Sequence, residues 1–300
     1  MTQYYSHGLS INSEMNFPEF TIKKSSHIDV FIRFGEISAL IDNFLEVNLS
    51  KLTKVRSTSN IINLLWNNIE IFTIKNGKEI IINPQTGLEE NFLRYLFMGH
   101  VIPILLHQKG RLVLHANAVN MDEGAVILLG SSGKGKSTTS IALHKQNYNL
   151  LSDDILSIKI IDEKYQSVYP GFPRIKLWPI VIKNINEDPN FMPKIHFNTE
   201  KRSYNISEDF SHDIKPIRAI YLLEEGDKTT ITEMNSFDGL LELIKSSYCF
   251  KLFNETELSE NFKQVSKIVN NIPFKRLVVK PSFENLKNIV DVIENDIFNS

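Results

Sequence analysis

The octapeptide Gly130-Ser131-Ser132-Gly133-Lys134-Gly135-Lys136-Ser137 constrains this chain more than any other feature. A G-x-x-x-x-G-K-S run needs a backbone that turns so that successive N–H groups point inward, and glycine reaches the φ angles this requires. An apolar run, Ala125 to Leu129, precedes the loop, and a helix-compatible segment, Ser137 to Gln146, follows it. The spacing predicts strand, loop and helix in that order, with the positive end of the helix aimed at the loop. Such a loop cradles phosphate oxygens. Lys136 supplies a point charge for β- and γ-phosphates, and the Ser137 hydroxyl can sit on Mg²⁺. ATP and Mg²⁺ are the expected ligands, gripped by Gly130, Ser131, Ser132, Gly133, Lys134, Gly135, Lys136, Ser137 and Thr138.

The flanking pattern narrows the fold. Leu112 to Val119 reads as a strand, Asn120 to Gly124 as a turn, and Ala125 to Leu129 as the strand feeding the loop. So short a connection predicts an antiparallel hairpin, whereas a parallel crossover needs a dozen residues or more. This argues against the mechanical ATPases, which place a crossover there. Downstream, Asn149 to Ser152, Ile155 to Ile161, Tyr165 to Tyr169 and Pro216 to Glu224 read as strands. Leu258, Phe262, Val265 and Val269 fall at helical spacing, as do Leu286, Ile289, Val290 and Ile293, and both stripes are expected to be core. The fold class is α/β (α+β), with a P-loop domain of strands and flanking helices over residues 89–300.

Residues 1–88 are expected to form a separate strand-rich domain. Ile28, Val30, Ile32 and Phe34 alternate with other residues at the period of a strand with one buried face. Asn76-Gly77, between Ile69–Ile74 and Glu79–Ile82, is a hairpin-turn signal. Pro84 to Gly87 breaks the pattern and marks the boundary. A helix is expected from Leu88 to Gln108, bent near Pro103.

Thirty-three basic residues against 35 acidic ones give a net charge of −2, so neither a nucleic-acid footprint nor a charged tail is indicated. Cys249 is the single cysteine, which excludes an internal disulfide and suits a reducing compartment. The most apolar stretch, Tyr95 to Leu106, is short and interrupted by Gly99, His100 and Pro103, so no membrane span is expected. The N-terminus lacks a signal-peptide layout. A cytoplasmic protein with no nucleic-acid or membrane partner is expected.

Asp153 and Asp154 close the strand after the loop helix, 17 and 18 residues beyond Lys136. A carboxylate pair there can divide two tasks of phosphoryl transfer, one holding Mg²⁺ and the other taking the proton of an incoming hydroxyl. His115 lies on the strand before the loop strand, where a histidine is ordinarily a satisfied core residue. Arg174, Lys176, Lys201 and Arg202 are basic residues in a segment able to reach a phosphate or a substrate carboxylate. Trp178 reads as core.

The set of His115, the loop with Lys136 and the Asp153-Asp154 pair resembles the HPr serine kinase/phosphorylase family. The resemblance implies transfer of the γ-phosphate of ATP to a serine hydroxyl and a homo-oligomer. It also implies Asp153 as base with His115 close by, Asp154 near the metal and, through Ile217-Arg218-Ala219-Ile220, Arg218 near the transferred phosphate. The chain departs from the family pattern at Thr138, where glutamate is usual, and over Tyr169 to Trp178, where a Glu-Ile-Arg-Gly type signature is usual. Leu114 to Val119, the Pro170-Gly171-Phe172-Pro173-Arg174 stretch and the N-terminal strand region together resemble a divergent branch that accompanies peptide natural products. That branch implies phosphorylation of the C-terminal serine of a lasso-peptide precursor, with an HPr-type protein as the alternative acceptor. A non-catalytic ATP-binding regulator is disfavoured, because binding alone needs no carboxylate base.

Overall fold

The computed structural model describes all residues except 38–43, 59, 85–87, 123, 162–164, 197–198, 253 and 300. The chain divides into two compact units, Met1–Val113 with Cys249–Leu258, and Leu114–Tyr248 with Ser259–Ser300.

The first unit is built on a nine-stranded sheet. Its strands are β1 (Thr2–Ser6), β2 (Leu9–Ser13), β3 (Thr21–Ile22), β4 (Val30–Phe34), β5 (Leu45–Asn48), β6 (Thr53–Ser57), β7 (Ile61–Trp66), β8 (Ile69–Lys75) and β9 (Glu79–Ile82). Their order is β3-β1-β2-β4-β9-β8-β7-β6-β5, antiparallel except for the β2–β4 and β4–β9 pairs. Asn76 and Gly77 adopt φ of 53° and 61° and close the β8–β9 hairpin, as the sequence leads one to expect. In β4, Val30 and Ile32 are buried, whereas Phe34 is exposed, so the buried face is shorter than the alternation suggests.

The helix expected from Leu88 to Gln108 is α1 (Glu90–Leu96), a π-helical turn (Phe97–Val101) and α2 (Ile102–Gln108). Irregularity thus enters at Gly99-His100, before Pro103. Phe97 in this turn packs on Phe17, Phe20 and Phe72, which explains why the first unit runs to Val113 although the sequence boundary is drawn at residue 88. Gln85–Gly87, the centre of that expected boundary, lie outside the described residues.

β10 (Leu112–His115) carries the chain into the second unit. The segment expected as one strand to Val119 is interrupted at Ala116, and the hairpin partner is the separate strand β11 (Asn117–Met121). It pairs antiparallel with β12 (Gly124–Leu129), from Asn117↔Leu128 to Met121↔Gly124. The remaining elements are α3 (Lys136–His144), β13 (Leu150–Ser152), β14 (Ile155–Ile160), β15 (Gln166–Tyr169), β16 (Arg174–Leu177), α4 (Pro179–Asn184), β17 (Arg202–Asn205), β18 (Lys215–Glu225), β19 (Thr230–Glu233), α5 (Ser236–Ser246), α6 (Glu255–Asn271), β20 (Phe274–Val279) and α7 (Leu286–Phe298).

Strands β14-β15-β18-β12-β11-β13 lie side by side, and β20, flanked by β19, pairs with β18. The β12–β18 and β18–β20 pairs are parallel and the β11–β12 and β14–β15 pairs antiparallel, so the sheet is mixed. β12 is buried along its whole length, as a strand covered on both faces must be. Val126, Leu128, Ile141, Leu143, Tyr221, Ile289 and Ile293 share one core that fixes α3 and α7 against this sheet. On α6 the core stripe is Val265, Ile268 and Val269. Leu258 and Phe262, expected to be core, are 37% and 53% exposed, because the helix buries a narrower face than the spacing alone implies. Among the described residues no helix is long and apolar enough to cross a membrane.

Candidate active site

The site grows from the C-terminal end of β12. Gly130 follows Leu129 with φ of 142°, and a Cβ there would meet the Leu223 carbonyl oxygen at 3.1 Å. Any side chain would therefore strain the backbone and push the loop off β18. Gly133 and Gly135 have φ of 89° and 90°, and α3 starts directly after Gly135. Ser131 and Ser132 are exposed, and the Lys134 ammonium pairs with Glu225 at 3.2 Å. The Lys136 side chain curls back beneath the loop, where Nζ donates to the Gly130 carbonyl at 2.6 Å. It is 6% exposed, and burial depresses its pKa against the opposing pull of Asp154 and Asp153.

Asp153, at the end of β13, faces this helix start. Its Oδ1 accepts from the Ser137 hydroxyl at 3.0 Å and from Asn117 Nδ2 at 2.8 Å, and its Oδ2 accepts from the Lys176 backbone N–H at 2.9 Å. Burial, followed by the neighbouring Asp154 charge, pushes its pKa up to about 6. Asp154 has φ of 67°, a left-handed conformation that aspartate tolerates better than most residues, and its side chain leaves in another direction. There Oδ2 pairs with Lys176 Nζ at 2.9 Å. Burial acts upward on Asp154, but Lys176, His115 and Lys201 together prevail and hold it below the usual carboxylate range. Two adjacent carboxylates thus carry opposite pKa shifts.

Asn117 escapes sequence reasoning. It is fully buried on β11, donates to Ser140 Oγ at 3.0 Å as well as to Asp153, and accepts from the Asp154 N–H at 3.2 Å. An asparagine inside an otherwise apolar strand, two residues past His115, was the available signal. His115 Nδ1 lies 3.4 Å from the Tyr248 hydroxyl, with the rings edge to face. Burial and then the Lys136 charge lower its pKa. Asp154 is the carboxylate whose charge acts on the imidazole, while Asp153 accepts from Ser137 and Asn117.

Arg218 is a correction. β18 runs parallel to β12, with Ile217 paired to Ala125 and Leu222 to Leu129, so Arg218 lies near the start of β12 and the loop at its end. At about 3.3 Å per residue the two are separated by well over 10 Å. Arg218 instead ties Asp122, at 3.0 Å, to the Ile297 carbonyl, at 2.6 Å. Its distance from the loop follows from strand direction, which a local motif does not encode.

β16 and β17 form a ribbon that sorts the four basic candidates. Arg174↔Asn205, Ile175↔Tyr204, Lys176↔Ser203 and Leu177↔Arg202 are paired. Alternate residues face opposite sides. Ile175 and Leu177 are buried in the core, so Arg174 and Lys176 lie on the other face, the one that reaches Asp154. Arg202 shares the face of Leu177, donates to the Pro189 carbonyl at 3.2 Å and pairs with Glu200 at 3.6 Å, which removes it from the site. Trp178 is 48% exposed and not core, and Lys201 Nζ lies over its ring at 5.6 Å.

The residues present suit Mg²⁺ and a nucleotide. Among the described residues no group of three or more His, Cys, Asp or Glu side chains could hold a metal. Mg²⁺ needs fewer, since it is ordinarily held by one or two carboxylates together with phosphate oxygens and water. Ser137 and Asp154 carry oxygen donors of that kind, and a glycine loop at a helix start has the backbone form that suits phosphate.

A glycine-rich loop at a helix start thus faces paired carboxylates on a mixed sheet. No family model matches the chain. Over 69 residues, 23% of its length, it is 36% identical to the HPr kinase/phosphorylase of Caldicellulosiruptor bescii. Over 65 residues, 21% of its length, it is 39% identical to the HPr kinase/phosphorylase of Caldanaerobacter subterraneus subsp. tengcongensis. These matches span 22% and 21% of the two relatives, so the likeness is to about a fifth of each. Among solved structures, the HPr(Ser) kinase/phosphatase from Coxiella burnetii aligns with a TM-score of 0.35 and 12% identity, covering 62% of this chain and 97% of that one.

Proposed function

We propose that this chain is an ATP- and Mg²⁺-dependent kinase that phosphorylates a serine hydroxyl. The observation that carries the reading is the hydrogen bond from Ser137, the loop hydroxyl, to Asp153, which joins the glycine loop to a carboxylate that burial pushes up to about 6. Sequence similarity to proteins named HPr kinase/phosphorylase supports a kinase. Mg²⁺ would be held by Ser137 and Asp154 and would neutralise charge on the phosphates. Lys136 holds β- and γ-phosphate oxygens once it leaves the Gly130 carbonyl. Asp153 accepts the hydroxyl proton, because a base works best with a pKa close to the working pH. Asp154, kept ionised by Lys176, supplies fixed charge.

The acceptor we propose is a serine at the C-terminal end of a peptide precursor, as in the lasso-peptide branch that Tyr169 to Trp178 resembles. A folded HPr-type protein is the second reading, favoured by the names of the relatives. Incubation with Mg²⁺-ATP and a linear peptide ending in serine, followed by mass spectrometry, separates them. The first reading predicts one added phosphate on the free acid, a large loss on C-terminal amidation and little reaction with HPr. Efficient modification of HPr alone would return the protein to the second.

A further inference from the structure

We infer that Lys201, resting on the indole of Trp178, is the second cation that grips the phosphoryl group in transit. The inference rests on the kinase reading above and assigns a residue to it.

Phosphoryl transfer spreads negative charge over the equatorial oxygens of the group in flight, and a cation beyond the loop lysine is a recurring requirement. Arg218, the sequence candidate for that task, is bound at the far end of β18. Lys176 is already neutralised by Asp154, and Arg202 by Glu200 on the opposite face of the ribbon. Lys201 differs from both. Trp178 and Lys201 each lie one residue beyond the last paired positions, Leu177↔Arg202, and two residues from Lys176 and its partner Ser203, whose face reaches Asp154. The 5.6 Å approach of Nζ to the indole ring shows that this outer pair meets. A ring holds an ammonium through its quadrupole and, unlike a carboxylate, brings no opposite charge to cancel it. That charge is felt inside the site, for Lys201 is among the groups that shift His115, Lys136 and Asp154. The arrangement is a cation held over a ring, with no ion pair to it among the described residues.

In the reaction the acceptor oxygen forms its bond to the γ-phosphorus as the bond to the β,γ-bridging oxygen breaks. The bridging oxygen leaves with that electron pair as ADP, and the hydroxyl proton passes to Asp153. Lys201 moves from the indole to an equatorial oxygen, opposite Lys136.

Two variants and one optical signal test this. The chain has two tryptophans, so in a Trp66→Phe background the emission comes from Trp178. Lys201→Met should lower kcat by roughly 10²-fold, the loss typical of one transition-state donor, while the Kd for ATP stays within a few-fold. Lys201→Arg should recover most of the rate. Mg²⁺-ADP with beryllium fluoride should shift Trp178 emission in the Trp66→Phe protein, with ADP alone giving less, and Lys201→Met should abolish the shift. Turnover of Lys201→Met at the parent rate overturns the inference and leaves the kinase reading standing. If the parent transfers no phosphate, the kinase reading fails instead. The emission shift then decides the inference: one abolished by Lys201→Met supports contact with the phosphoryl mimic, and an unchanged emission overturns it.

Discussion

Asn117 Nδ2 donates to Asp153 Oδ1 at 2.8 Å from a side chain with no solvent exposure, and the same amide accepts from the Asp154 N–H. One buried residue of the loop hairpin therefore sets both members of the carboxylate pair. Asn117→Ala would orphan the Asp154 N–H and remove a donor to Asp153. The expected cost is about 1–3 kcal/mol of stability in denaturant unfolding and roughly 10²-fold in kcat from misplacement. A purely structural role would move only the first number. Loss of a donor also raises the Asp153 pKa, so the acid limb of the rate profile should shift to higher pH.

The limb itself is the second prediction. With Asp153 pushed up to about 6, turnover should fall as pH drops through that value, because the protonated carboxyl cannot take the hydroxyl proton. Asp153→Asn should lower turnover by roughly 10²–10⁴-fold and erase the limb, with ATP affinity within a few-fold of the parent. Asp154→Asn should mainly shift the Mg²⁺ dependence. If the two variants exchange these phenotypes, Asp153 serves the metal with Ser137 and the roles are reversed.

Stability carries the opposite sign. The native state binds the Asp153 proton more tightly than the unfolded chain, so this group stabilises most at low pH. Its contribution is lost as pH rises from about 4, the unfolded value, through about 6. Thermal unfolding of the ligand-free protein should show Asp153→Asn gaining on the parent across that window. A parent that gains instead would contradict the pKa assignment.

Lys136→Ala should abolish transfer and weaken ATP binding. Because this lysine is buried with a depressed pKa, its removal relieves a desolvation cost, and ligand-free stability should change by no more than about 1 kcal/mol. Full activity in the purified variant would sink the loop assignment.

Arg218→Ala should behave in the reverse manner, losing about 1–3 kcal/mol with its bonds to Asp122 and the Ile297 carbonyl. Its kcat should match that of the parent at temperatures where both are folded. A kinetic collapse with intact folding would reinstate it at the phosphate.

What the sequence makes legible is local. The β8–β9 and β11–β12 hairpins and the strand, loop and helix around residue 130 are written in adjacent residues, through one Asn-Gly turn, short connections, glycine spacing and apolar runs. Long-range register is not so written. Arg218 lies in a family-like segment, yet its distance from the loop depends on which strand β18 joins and in which direction. Lys201 and Arg202 are neighbours with identical formal charge, and only long-range pairing turns Arg202 to the face of Leu177 while Lys201 meets the Trp178 ring. Trp178 looks like core between Leu177 and Pro179, but the pleat that buries Leu177 turns it outward.

The central claim is that the site moves phosphate from ATP to a hydroxyl, and product stoichiometry tests it most directly. The purified chain is incubated with Mg²⁺-ATP and the serine-terminated peptide or HPr, and ADP, phosphoester and inorganic phosphate are followed together by ³¹P NMR. The account predicts phosphoester in step with ADP for one of the two acceptors, with neither product from Asp153→Asn above background. ADP accompanied only by inorganic phosphate, or nucleotide bound and left intact, would contradict it.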